Sequence, residues 1–404
     1  MNNNQQPIRP LCLSFYTPPL NRPQSILIGK MIPSWMNYGL KPVIVSLESC
    51  GQWQINAPIY QIPDFKINKY LNQIPGVRNI LEKKYYQKIF NITKKVIKKY
   101  NLNIIFSFAN PQVSNILGAM LKEKIGIKFI AHFSDPWYDH PYKSLSGREA
   151  QRVFALEKYI IDQSDKVIFT NQAAEKLVIK KYPVVYLAKT GVIPHCYDSK
   201  DYPNVNNINK GESIRFIISH IGSFYPERNP ALLFKALKKV MIIKPELKSE
   251  IKLNLIGGAG NYNGYKLENL KQMAQDYEIT DMVEIIPPVS YEESLRQMKL
   301  SDLLVVIDAD IKDSPFLSSK VVDYAGSLTP IIGITPADSP TDKMLAKLGH
   351  YSFNYGQLEQ LTACLIKLIT KQMKPQINQE YLAEYDVKNT TKKLIGYFQQ
   401  VLNI

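Results

Sequence analysis

The sequence predicts an α/β protein built as two parallel-sheet domains that face each other across a cleft. Three observations carry this. Short, continuous apolar runs recur along the chain, which is how strands buried on both faces read. Stretches of helical period separate them, so strand–helix–strand units follow one another. The alternation breaks in a polar, Asn-rich, turn-prone stretch, Asp201 to Gly211, and then restarts, dividing the 404 residues into two halves, each of Rossmann-like pattern.

In the first half, Leu11 to Tyr16 reads as a strand and Thr17 to Gln24 as a loop. A helical pattern starts at Ser25 and ends near Gly39, a residue suited to the left-handed position after a helix. Pro42 to Leu47 is the next strand. Asn103 to Phe108 and Ile127 to Phe133 are further buried strands, with a helical pattern from about Gln112 to Glu123 between them. Gly147 to Ser164 is helical, Lys166 to Thr170 a strand, and Asn171 to Lys181 a helix. In the second half, Arg215 to Ile221, Lys252 to Ile256, Val283 to Ile286, Leu303 to Ile307 and Ile331 to Ile334 read as strands. Asn229 caps a helix with Pro230 at its first position, and Ser290-x-x-Glu293 is a capping box. Helical stretches at 338–349, 357–372 and 387–402 complete the chain.

Net charge is +15, which fits an anionic partner such as lipid, phosphorylated substrate or nucleic acid, and fits equally a compositional excess of Lys. Its clustering is more specific. Between 64 and 104 stand Lys66, Lys69, Arg78, Lys83, Lys84, Lys88, Lys94, Lys95, Lys98 and Lys99 against Asp64 and Glu82. Tyr85, Ile89, Ile92, Val96 and Tyr100 recur there at helical spacing, so one face is apolar and the other cationic. An apolar stripe of this kind reads as core packing; the excess charge points to an anionic bilayer surface. No apolar run reaches membrane-spanning length, and the polar start, Met-Asn-Asn-Asn-Gln-Gln, does not read as a signal peptide. Cys12, Cys50, Cys196 and Cys364 are scattered and form no CxxC pair, so neither a disulfide framework nor a zinc site is expected, and the compartment reads as the reducing cytoplasm.

Two segments stand where open parallel sheets hold ligands, at the carboxyl ends of strands. The first is His132-Phe-Ser-Asp135-Pro136-Trp137. Asp135 before Pro136 reads either as a helix cap or as a candidate base, and His132 either as a core histidine or as a second candidate. The other segment is Asp308 to Tyr324. After the strand at 303–307 comes a loop, and then Ser318 or Ser319 caps a helix beginning at about Lys320. Free amides and the positive end of the dipole make such a start an anion site. Lys320 adds a full charge, and Asp323, one turn on, shares its face. Phosphates on Lys320 and a sugar hydroxyl pair on Asp323 would suit a nucleotide. Asp308-Ala-Asp310 also matches the Asp-x-Asp pattern of metal-dependent glycosyltransferases; its context favours a strand-end loop.

Pro315-Phe-Leu-Ser-Ser-Lys-Val-Val-Asp-Tyr324, followed by Pro330-Ile-Ile-Gly-Ile-Thr-Pro336, resembles the donor-binding segment of family 4 glycosyltransferases (glycosyl transferases group 1, GT-B fold). Asp135-Pro-Trp137 resembles that family's segment facing the acceptor and the reacting sugar. Gly222-x5-Arg228-x-Pro230 resembles its diphosphate-contacting loop. The chain departs from the family in three places. Arg22 and prolines replace glycines in the first loop, Asn229 stands where some members carry a second basic residue, and Pro315 stands eight positions before Asp323 where many carry a carboxylate.

The resemblance implies retaining transfer of a sugar from a nucleoside-diphosphate sugar to an acceptor hydroxyl, in polysaccharide or glycolipid synthesis. The implied catalytic residues are Asp135 and His132, and the implied donor-binding residues are Gly222, Arg228, Val289, Ser318, Ser319, Lys320 and Asp323. No metal and no cofactor beyond the donor are implied. The alternatives are a non-catalytic nucleotide-sugar-binding or partner subunit, and a metal-dependent transferase using Asp308 and Asp310. The expected domains are 1–200 on the acceptor side, 201–385 on the donor side, and a terminal helix, 386–404, that in the family crosses back. Expected partners are the nucleotide-sugar, a saccharide or lipid-linked acceptor, and an anionic membrane surface, with no nucleic acid. The expected location is the cytoplasm, peripheral on the inner face of the membrane.

Overall fold

The computed structural model describes residues 7–47, 51, 53–63, 77–204, 215–258 and 265–404. It divides into two units, Met1–His195 with Val387–Ile404, and Cys196–Asp386. The chain thus leaves the first unit at His195, ahead of the Asn-rich stretch expected to divide it. Most of that stretch, 205–211, lies outside the described residues, as do Lys66, Lys69, Asp64, Cys50, Ala259 and Gly260.

Among the described residues the first unit holds seven parallel strands: β1 (Pro10–Leu13), β2 (Val43–Leu47), β3 (Ile59–Ile62), β4 (Ile104–Phe108), β5 (Lys128–Phe133), β6 (Lys166–Phe169) and β7 (Thr190–Val192). Their order is β3-β2-β1-β4-β5-β6-β7. β1 stops short of Tyr16 because the Ser14 hydroxyl turns to the Tyr16 carbonyl (2.9 Å). The helices are α1 (Pro23–Asn37), α2 (Val77–Tyr100), α3 (Val113–Ile125), α4 (Gly147–Gln163) and α5 (Gln172–Ile179), and the terminal α13 (Val387–Leu402) also belongs here. Gly39 follows α1 at φ +82°, the left-handed geometry its position called for.

α13 packs against α1. Thr391 donates to Ser34 (2.8 Å), and the fully buried Trp35 meets Phe106 and Phe398 edge-on at 5.5 and 5.7 Å. These are geometries in which ring edges face ring π-clouds. On α2 the apolar stripe is spent in the core, where Ile89, Phe90, Val96 and Ile97 are buried. Lys83, Lys84, Lys88, Lys94, Lys95, Lys98 and Lys99 all remain exposed on its outer side.

The second unit repeats the architecture with β8 (Phe216–Ile221), β9 (Ile251–Ile256), β10 (Val283–Ile286), β11 (Leu303–Ile307), β12 (Ile331–Ile334) and β13 (Tyr351–Phe353), ordered β10-β9-β8-β11-β12-β13 and parallel throughout. Its helices are α6 (Ala231–Ile243), α7 (Leu267–Asp276), α8 (Tyr291–Leu300), α9 (Ser319–Gly326), α10 (Pro340–Leu348), α11 (Leu358–Ile369) and α12 (Gln379–Ala383). β11 is buried along its whole length, as its unbroken apolar run requires. The strand order turns back between β8 and β11, and ligands of open α/β sheets lie at such a point. Among the described residues no helix is long and apolar enough to cross a membrane.

Candidate functional site

The carboxyl ends of β8 and β11 and the start of α9 bring together four side chains: His220, Arg228, Asp308 and Lys320. Gly222 makes this packing feasible. It follows β8 at φ +136°, and a Cβ there would stand 2.3 Å from the Lys320 ammonium nitrogen. Only a glycine both adopts that backbone geometry and leaves room for the lysine head. Its amide is anchored to the Ile256 carbonyl (2.8 Å).

α9 is fixed to the end of β8 by one residue. The fully buried Tyr324 hydroxyl accepts from the Ile221 amide (2.7 Å) and donates to the Ile221 carbonyl (3.2 Å). Lys320, one turn earlier, is thereby held over Gly222. Burial and the neighbouring Arg228 push its amine well below the usual lysine range, with Asp308 acting the other way.

Arg228 closes a tight turn with Tyr225, each amide bonding the other's carbonyl (2.8 and 3.1 Å). Its guanidinium lies 5.6 Å from the Tyr225 ring centre. Nε and Nη2 are shielded from solvent and, among the described residues, have no hydrogen-bond partner. A charge-bearing donor left so is costly unless a ligand completes it. Burial raises the Asp308 carboxyl above the usual range, against the pull of Arg228 and Lys320. Asp308 therefore faces two cations, whereas Asp310 is exposed. Among the described residues no group of His, Cys, Asp or Glu stands together as a metal site.

The remaining residues expected at a donor site take up varied roles. Ser318 occupies the N-cap of α9 and Ser319 its first position, but the Ser318 hydroxyl accepts no amide. The expected side-chain cap is absent, so the opening of the helix keeps its orphan amides. Asp323 is 7% exposed and receives the Tyr291 hydroxyl on Oδ1 (3.1 Å), while its carbonyl receives Tyr202 (2.7 Å). Val289 packs into the same apolar cluster as Val321 and Val322. Asn229 does not cap α6 directly. Pro230 is the N-cap, so the helix starts one position later than expected, and Asn229 Oδ1 accepts from the Ala231 amide (3.0 Å).

In the first unit, Asp135 and Pro136 open no helix; the chain from Ser134 to Ser146 is a loop. The capping role is therefore excluded for Asp135. Its Oδ2 accepts from Asn110 Nδ2 (2.9 Å), and Asn110 stands just beyond β4 in the left-handed region at φ +61°. Burial raises the Asp135 carboxyl, countered by Asn110 and Lys143. Behind this loop the fully buried Glu157 accepts from the Tyr138 amide and the Tyr182 hydroxyl (both 2.9 Å) and pairs with Lys181 (2.8 Å), which also reaches Asp139. His132 is 2% exposed beside the rings of Phe106 and Phe108. Burial, then His195, lowers its pKa to about 3, so it is neutral at neutral pH. In the first loop Arg22 stacks on Tyr16 (4.5 Å).

Residues 198–308 match the sequence profile of the family glycosyl transferases group 1. That segment, 111 residues long, is what the chain has in common with the group. The D-inositol 3-phosphate glycosyltransferases of Streptomyces scabiei and Streptomyces coelicolor are each 27% identical to it over 111 residues, a quarter of this chain. The match thus spans about a quarter of the length of these curated relatives. The likeness in fold extends well beyond the matched segment. Sucrose-phosphate synthase from Thermosynechococcus elongatus superposes with a TM-score of 0.70 at 14% identity, covering 98% of this chain and 99% of that one. Anabaena HepE, solved with UDP, gives 0.68 at 14% identity, covering 98% and 100%. The architecture is GT-B, as the group 1 resemblance implied. Of the residues expected at a donor site, Gly222, Arg228 and Lys320 are brought together. Sequence reasoning missed His220 and Asn110, both of which lie at strand ends with no motif around them.

Proposed function

We propose that this protein transfers a sugar from a nucleoside-diphosphate sugar to an acceptor hydroxyl. The observation that carries the reading is the pair of enclosed cations in the second unit. Arg228 presents two unpartnered donors, and Lys320 is packed against a glycine that alone makes room for it. A diphosphate supplies the missing acceptors and neutralises both charges. Asp323, one turn along α9 from Lys320, takes the ribose, the loop at Val289 the base, and the amides at Ser318 and Ser319 a phosphate oxygen. Stabilising the departing diphosphate is the main catalytic effect. In the first unit Asp135 serves the acceptor side. We propose retention of anomeric configuration, a saccharide or lipid-linked acceptor as in polysaccharide or glycolipid synthesis, and no cofactor besides the donor.

The test is thermal shift with UDP and UMP, since a ligand that binds only the folded state raises the melting temperature. UDP is expected to raise it more than UMP. Equal shifts would remove the diphosphate site.

The exposed lysines of α2 support a second element, docking on an anionic membrane face. Because the apolar side of the helix is buried in the core, this attraction is purely electrostatic. Each lysine at such a surface contributes about 1 kcal/mol, and the effect fades within a Debye length as salt rises. Replacing Lys94, Lys95, Lys98 and Lys99 by Gln should release the protein from anionic liposomes in co-sedimentation at low salt. Salt-independent recovery, equal on neutral and anionic liposomes, would remove the membrane element and leave the transferase reading intact.

A further inference from the structure

We infer that His220 is the positioning residue that sets the Lys320 head group for the donor's phosphates, an inference that rests on the donor-site reading above. His220 sits near the end of β8 and is fully buried. Its Nδ1 lies 2.9 Å from the Val305 carbonyl of the neighbouring β11. A carbonyl only accepts, so Nδ1 carries the proton and donates. That fixes the tautomer: Nε2 keeps its lone pair. The ring plane is fixed as well, stacked on Phe224 at 4.4 Å and 17°.

Nε2 then faces Lys320 Nζ at 3.5 Å. On another side that nitrogen lies directly against Gly222, where a Cβ would stand 2.3 Å from it. The lysine head is thus cradled between an acceptor of fixed direction and a surface with no side chain. One N–H is directed at the imidazole, which leaves the others for an incoming anion. Burial, Lys320 and Arg228 all hold the imidazole neutral, and only the neutral ring has this acceptor. A histidine that protonated beside two cations would instead repel Lys320 from its seat. The arrangement pre-organises the charge without adding a competing one.

Two variants separate this role from packing. His220→Phe keeps a ring against Phe224 and removes the acceptor. His220→Gln offers an amide oxygen toward Lys320 and an N–H toward Val305. By isothermal titration with UDP and UMP, His220→Phe is expected to lose about tenfold in UDP affinity, the scale of one charged hydrogen bond. UMP affinity should hold, and His220→Gln should recover most of the loss. The direct readout is the imidazole nitrogen NMR signal of the intact protein. Nδ1 should be the protonated nitrogen, and the Nε2 signal should move in Lys320→Met. A static Nε2 signal overturns the inference whether or not UDP binds. UDP affinity in His220→Phe equal to wild type, or His220→Gln as weak as His220→Phe, overturns it too. Wild-type protein that fails to prefer UDP over UMP removes the donor-site reading itself, and this inference with it.

Discussion

Each unit has its own parallel sheet with similar crossovers, yet the chemistry collected at the strand ends is opposite. In the second unit β8, β11 and α9 gather two cations, a neutral imidazole and a glycine that clears space. In the first, the ends of β4 and β5 gather a carboxylate, Asp135, an amide that bonds it, Asn110, and the uncharged His132. The fold supplies only the platform; a few residues beyond each strand decide whether it receives an anion or presents one. The manner of support differs as well. Lys320 is held by packing and one tyrosine that bonds backbone. The Asp135 loop is tied down from behind by Glu157, a buried acid with three partners.

The sharpest way to test this division is to remove the charge on one side and read both functions. Asp135→Asn should lower the transfer rate by about 100- to 10,000-fold, the range for losing a general acid or base. UDP affinity should be unchanged in the same protein. A parallel loss of UDP affinity would mean the two platforms do not divide the work. Lys320→Ala is the converse variant. It should weaken UDP by about 1.5–3 kcal/mol, and isothermal titration measures this directly. Asp323→Ala should add a smaller loss from the nucleoside side, and unchanged affinity in both variants would remove the site.

A pH experiment tests the most strongly lowered imidazole of the first unit, where His195 and His140 are also lowered, each to about 4. His132 has a pKa of about 3 in the fold, below the value of about 6.5 in an unfolded chain. The unfolded state therefore binds the proton first. This contribution to stability is complete above pH 6.5 and is lost progressively as pH falls toward 3, by about 1.4 kcal/mol per pH unit. His132→Gln should flatten the melting-temperature profile between pH 6.5 and 4. An unchanged slope would move the acid sensitivity elsewhere. The smallest expected effect is none at all. Asp308 faces Arg228 and Lys320 while Asp310 points to solvent, so EDTA should leave sugar transfer intact. Loss of transfer restored by manganese would reinstate the Asp-x-Asp reading.

The interior strands were legible because parallel strands covered on both faces must be apolar throughout, as Leu303–Ile307 is. The edge strands Ile59–Ile62, Thr190–Val192 and Tyr351–Phe353 were not. They are only three or four residues long and half exposed, so they carry neither a continuous run nor an alternation. The site followed the same rule. Lys320 and Arg228 were legible because they stand among recognisable neighbours, Arg228 in the loop after β8 and Lys320 in the first turn of α9. His220 lies inside an apolar strand, where its letter reads as core; only the direction of its ring gives it a role. Asn110 was hidden for the opposite reason, since a left-handed asparagine before proline looks like any turn. The Ser318 cap failed because a serine beside a helix start is a capacity, not a bond: it takes the N-cap position without a side-chain hydrogen bond to the helix.

That α13 belongs to the first unit also constrains the order of folding. The second unit is an insertion, residues 196–386, whose two ends are pinned side by side by the Tyr197 amide on the Tyr385 carbonyl. During synthesis it has all of its strands while the first unit still lacks the helix that carries Phe398 against Trp35 and Phe106. Until then the aromatic face beside α1 is open to water and to other chains. The unit begun first is thus the one completed last, and its exposed face marks where a nascent or truncated chain would aggregate.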